Sequence, residues 1–161
     1  MDSRVNSVTK RDVESNEAIA ELRKTLRTEP NFPPAHLRLW GAFYEKRMHE
    51  EAVAAAKTFF EVLGDNETAQ ALQSGYAAAG YSGAMRLAAE TLTARSHSSY
   101  VQPTQIARLY AHAGDKDHAL EWLEKACEER LPAMVHLGVD MDWSSLRGHP
   151  RFQNLLLRVN L

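Results

Sequence analysis

Cysteine is nearly missing from this 161-residue chain, and its single thiol, Cys127, rules out an internal disulfide and a multi-thiolate zinc cluster. Long apolar runs are missing too. No stretch approaches the ~18–20 residues of a membrane span, and the opening "MDSRVNSVTKRDVES" has no apolar segment of signal-peptide length. Charge of one sign is also lacking: 19 Lys and Arg stand against 21 Asp and Glu, scattered along the chain, for a net charge of −2. Such a balance sets up no basic field to recruit nucleic acid or an anionic membrane. Strand-like alternation of β-branched and polar residues is almost absent. What these absences leave is an all-α, soluble, cytoplasmic protein, of a size for one compact domain or a short stack of repeats.

Ala, Leu, Glu, Lys and Arg fill the chain at helical spacing, and breakers cut it at "EPNFPP" (29–34), "LGDNE" (63–67), "AGYSG" (79–83), "RSHSSYVQP" (95–103), "AGDKD" (113–117) and "RLPAM" (130–134). The pieces between them repeat. "WGAFYEKRMHEEAVAAA" (40–56) aligns with "LQSGYAAAGYSGAMRLAA" (72–89) by placing Tyr44 on Tyr76, Met48 on Gly80 and Ala52 on Ala84, each offset being 32. Tyr76 then falls on Tyr110 and Gly80 on Gly114 at an offset of 34, and Ala84 on Ala119 at 35. Upstream, "EAIAELRKTLRTEP" matches only the second half of a unit, through Ala18, Leu22 and Pro30.

A period of about 34, with an aromatic late in one helix, Gly at the turn, Ala early in the next helix and Pro after it, resembles the tetratricopeptide repeat. The fullest match is Tyr110, Gly114, Ala119, Leu123, Ala126 and Pro132. Each residue also has a local reason. Ala119 lets its helix approach the ring of Tyr110, Gly114 supplies a left-handed helix stop, and Asp115 can cap the helix that follows. By the same spacing Trp40, Tyr44, Tyr76, Tyr110, Trp122 and Phe152 are expected to pack between helices, with Trp143 left open in the irregular tail.

The tail "VHLGVDMDWSSLRGHPRFQNLLLRVNL" (135–161) does not repeat. It resembles the segment that closes tetratricopeptide arrays in some bacterial transcription regulators, cyclases and protein kinases, through Asp142, Trp143, Leu146, Arg147, Pro150, Arg151, Phe152, Leu155 and Leu156. The resemblance implies a right-handed superhelix of antiparallel helix hairpins with a C-terminal capping helix. The expected organisation is a flexible tail over 1–12, a half repeat and three repeats over 13–132, and a cap over 133–161.

No reactive constellation emerges. The seven histidines are dispersed and form no paired ligand motif; His136, Asp140 and Asp142 are the tightest grouping, and His149 lies beyond them. The serines of "RSHSS" sit beside His97 without a nucleophile elbow or a Gly-rich phosphate cradle. A non-enzymatic chain without metal or cofactor is therefore expected, with an unrecognised enzyme using His136, Asp140, Asp142 and His149 as the least favoured alternative.

The resemblance also implies where a partner would bind. In the family, side chains one and two turns before each unit's aromatic line a concave groove, which here gives Arg38 and Ala42, Gln70 and Ser74, and Thr104 and Arg108. Ala77 and Ala111 follow the tyrosines, and His112 lies at the edge. Such a groove, small-floored with two arginines, suits an acidic protein segment or peptide. The lysine and asparagine pairs of chaperone-binding relatives are missing. The expected function is non-catalytic protein–protein interaction, as an adaptor or scaffold. Self-association into a homodimer through "GYAAAGYSGAMRLAA" (75–89), as the tail of a signalling protein, is the alternative.

Overall fold

The computed structural model describes residues 9–159 and is all-α, with no strand among them. Seven helices follow in order: α1 (Lys10–Thr28), α2 (Pro33–Glu45), α3 (His49–Val62), α4 (Asn66–Ser96), α5 (Pro103–His112), α6 (Lys116–Glu128) and α7 (Pro150–Val159). Two short 3-10 segments, Pro132–His136 and Met141–Leu146, lie between α6 and α7. The breakers of the sequence fall where helices end. Among the described residues no helix is long and apolar enough to cross a membrane. The chain divides into two compact units, Met1–Gly64 and Asp65–Leu161.

In the first unit α1 starts earlier than expected. Thr9 accepts from the backbone N–H of Asp12, and the Asp12 carboxylate accepts in return from the backbone and hydroxyl of Thr9, a capping box that satisfies free donors at the helix start. Residues 9–12, assigned above to a flexible tail, are thus a cap and the first turn of a helix; residues 1–8 of that tail lie outside the described residues. Pro33 opens α2 at a position where a missing N–H costs nothing. The buried His36 ring hydrogen-bonds the Pro30 carbonyl at 2.7 Å and holds the preceding loop. α2 and α3 then form a hairpin around Trp40, Phe43, Phe59 and Phe60, in which the Phe59 and Phe60 rings meet edge to face at 5.1 Å. Ala52 and Ala56, both fully buried, let the two helices close on those rings.

The turn of this hairpin corrects the repeat register. Arg47 adopts φ +57°, its N–H donates to the Tyr44 carbonyl at 2.9 Å, and Met48 N–H donates to the Phe43 carbonyl at 2.9 Å. In the hairpin of α5 and α6, Gly114 has φ +80°, its N–H donates to Ala111 at 3.1 Å, and Asp115 N–H donates to Tyr110 at 2.9 Å. Both are the same Schellman helix stop. Phe43 therefore matches Tyr110, Arg47 matches Gly114, Met48 matches Asp115 and Ala52 still matches Ala119. The alignment through Tyr44 was one residue out on the α2 side, because the left-handed position that glycine usually marks is held here by an arginine.

In the second unit α4 is two helices joined without a gap. Ala79 (φ −148°, ψ 24°) and Gly80 (φ 69°, ψ −157°) leave helical geometry at the expected "AGYSG" break. The two halves fold onto each other closely enough that a Cβ on Gly75 would stand 2.4 Å from the Gly83 carbonyl oxygen. Gly75, Ala79 and Gly83 of this stretch thus serve a contact within the chain. Asp65 caps α4 by accepting from Thr68 N–H, and it also receives Arg95 in a two-pronged pair at 2.7 and 2.8 Å. Burial alone would raise the Asp65 carboxyl, but Arg95 and Thr68 overcome it and hold it below the ordinary value. Asp115 does cap α6, accepting from His118 N–H, and Ala119 is fully buried.

The cap runs from the first 3-10 segment through α7, and buries Met134, Leu137, Trp143, Leu146, Phe152 and Leu155. Trp143, left open by sequence, is core. Arg151 grips Glu124 of α6 through two hydrogen bonds of 2.9 Å. Residues 160 and 161, assigned to the cap, lie outside the described residues.

Candidate functional site

Thr104, Arg108, Ala111 and His112 recur on α5 at steps of four, three and one, which places them along one side of the helix. This is the stripe that the repeat resemblance assigns to a bound peptide. In the structure all four are buried. Over Arg108 and His112 lies the chain itself: the 3-10 segment Met141–Leu146 packs against α5 and delivers a carboxylate to both.

That carboxylate is Asp142. One oxygen accepts from Arg108 Nε at 2.6 Å, and the other meets His112 Nε2 at 2.7 Å. The outer face of the guanidinium turns to Asp140, whose carboxylate lies 3.5 Å from Nη2. The Trp143 ring lies beside the guanidinium, its centroid 5.5 Å from Cζ, a cation–π contact. On the far side of the imidazole, Nδ1 meets the Tyr81 hydroxyl of α4 at 2.5 Å. A continuous chain of polar contacts therefore runs from α4 through α5 to the cap.

The chain is dry: side-chain exposure is 10% for Arg108, 8% for Asp142 and 0% for His112. Burial alone would push the Asp142 carboxyl up. The Arg108 charge and the His112 hydrogen bond overcome it and hold the group well below the usual carboxylate range. Asp140 moves the other way, raised by burial and by the charge of Asp142 beside it. One carboxylate is thus committed to the ionised form while its neighbour pays for proximity. Asp140 also accepts from Asp142 N–H at 3.1 Å, which fixes the turn that aims Asp142 at α5.

The other expected groove residues stay apart from this network. In the first unit Arg38 is exposed and Ala42 half-buried. With Phe43 as the aromatic of that hairpin, they stand five and one residues before it rather than six and two. In the second unit Gln70, Ser74 and Ala77 recur at helical spacing on the first half of α4, and all three are exposed. Of the metal grouping considered above, His136 is exposed and Asp142 is neutralised by Arg108. Among the described residues no cluster of three or more His, Cys, Asp and Glu side chains is disposed to hold a metal.

Sequence reasoning found the stripe and missed its occupant. Asp142 and Tyr81 drew no attention as partners of His112 because they lie 30 and 31 residues from it. The available signal was the acid–aromatic pair "DW" in a tail that otherwise lacks a reason for a buried acid. No family model, curated protein or solved structure matches the chain.

Proposed function

We propose that this chain is a tetratricopeptide-like helix-hairpin protein that acts without catalysis, by binding a protein segment along its first-helix faces. The carrying observation is the residue-for-residue agreement of two hairpins, Phe43, Arg47, Met48 and Ala52 against Tyr110, Gly114, Asp115 and Ala119, with the same Schellman turn in each. A hairpin of this kind presents side chains at helical spacing along its first helix, which suits the reading of an extended or helical partner. Gln70, Ser74 and Ala77 offer a small polar face in the second unit, and Arg38 offers a cation in the first. Fold supports this function by analogy.

The test is affinity capture from a lysate of the source cells, comparing wild type with Arg38→Glu and with Gln70→Lys plus Ser74→Lys. All three positions are exposed, so the variants should melt with the wild type. A protein retained by wild type and lost from either variant supports binding through these faces. Equal retention by all three chains counts against it.

A further inference from the structure

The face of α5 that repeat spacing assigns to a peptide carries a stretch of the same chain, held through Arg108 and His112. Its occupant is the stretch 139–147, "VDMDWSSLR", bounded by Gly138 and Gly148. A Cβ on Gly148 would meet nothing, and one on Gly138 only a leucine methyl at ordinary contact distance, so neither glycine is there for close packing. Between them Val139, Met141, Ser144, Ser145 and Arg147 face solvent, and only Asp142, Trp143 and Leu146 are buried. The stretch touches α5 as a short peptide would, through the carboxylate of Asp142 and the ring of Trp143.

We infer that the Arg108–His112 stripe is a recognition site for a protein segment carrying a carboxylate followed by an aromatic residue, and that residues 139–147 are a strap that fills this site in cis until such a segment displaces it. This rests on the partner-binding reading above and names the chemistry of the partner. Arg108 Nε and His112 Nε2 are spaced to take one oxygen each of a single carboxylate, at 2.6 and 2.7 Å. One flank of the guanidinium takes an aromatic ring, that of Trp143, whose centroid lies 5.5 Å from Cζ. Tyr81 holds the imidazole from behind, so the two donors keep their positions whichever carboxylate arrives. A tethered ligand competes at an effective concentration in the millimolar range, so the strap acts as a threshold that only a well-matched segment exceeds.

The experiment uses the full chain and a fluorescently labelled synthetic peptide of residues 139–147, titrated with wild type and with Asp142→Asn, each first shown by circular dichroism to be folded. Asparagine keeps the shape of the strap and removes its charge, so the site should open to the peptide. The expected result is anisotropy-detected binding at least tenfold tighter to the variant than to wild type, and at least tenfold weaker for a peptide that itself carries Asp142→Asn. Should the protein variant melt below the assay temperature, Leu146→Val, which trims an apolar anchor and leaves the carboxylate in place, takes its part. A folded variant that binds the peptide no better than wild type overturns the inference, as does equal binding of the two peptides. Lysate capture reads exposed α2 and α4 side chains while this titration reads α5. The titration failing alone removes the strap, and capture failing alone removes partner binding at the exposed faces.

Discussion

Replacing Asp142 by alanine should be among the most damaging single changes available in the second unit, and its size can be worked from the contacts it deletes. Two hydrogen bonds to donors are lost, and the Arg108 guanidinium, with 10% of its side chain exposed, is left with only Asp140 at 3.5 Å as counter-charge. Removing one partner of a buried ion pair costs about 3–5 kcal/mol, most of it the stranded charge rather than the lost bond. With a urea slope of about 2 kcal/mol per molar for a unit of this size, the midpoint should fall by roughly 2 M. Urea unfolding followed by tryptophan fluorescence is the natural assay, because Trp143 lies against Arg108 and reports the site directly. The double variant Arg108→Met with Asp142→Leu separates the explanations: if stranded charge is the cause, removing both ions should restore more than half of the loss, although the His112–Asp142 hydrogen bond goes as well. A loss below about 1 kcal/mol for Asp142→Ala, the scale of a solvated surface pair, would refute the account and mean that Arg108 reaches water.

Acid should act through the same group. Because the folded chain holds Asp142 below its ordinary value, the stabilisation it confers is complete above the unfolded value of about 3.9 and drains away as pH falls past it toward the folded one. Asp140, raised in the fold, works in the opposite sense and recovers part of the loss on protonation. Denaturation between about pH 5 and 2 should therefore be shallower for Asp142→Asn than for wild type, and parallel curves would contradict the assignment. Arg47→Gly should stabilise the first unit by up to about 1.5 kcal/mol in thermal unfolding, since the left-handed strain of about 1–2 kcal/mol is relieved while glycine loses about 0.5–1 kcal/mol more chain entropy. Gly75→Ala should destabilise the second unit by about 1–3 kcal/mol or more, because its Cβ meets backbone at Gly83 and Ala84 rather than a side chain that can turn away; a neutral melt would show that the halves of α4 are not so closely packed.

How much of this was legible beforehand depends on range along the chain. Helix content, nearly every break and the cap of α6 at Asp115 follow from local chemistry: propensity, proline and glycine positions, and short polar residues that satisfy free N–H groups within three residues. The α2–α3 turn slipped by one residue because Arg47 carries no glycine-like mark; only its φ of +57° reveals it. The early start of α1 was missed for a related reason, since Thr9 and Asp12 form a capping box in a stretch whose composition reads as a polar tail.

The candidate site divides along the same line. Sequence alone determined that Thr104, Arg108, Ala111 and His112 share a helix face, because helical geometry fixes that from spacing without reference to anything else. It also determined that no cluster of reactive residues lies close in sequence. Only the tertiary structure decided that the face is closed, because closure depends on where a non-repeating tail lands, and on a carboxylate 34 residues from its arginine. Such a contact leaves no periodic trace. A buried ion pair is selected by the low-dielectric space that forms when the cap packs on α5, and that space does not exist until both have folded.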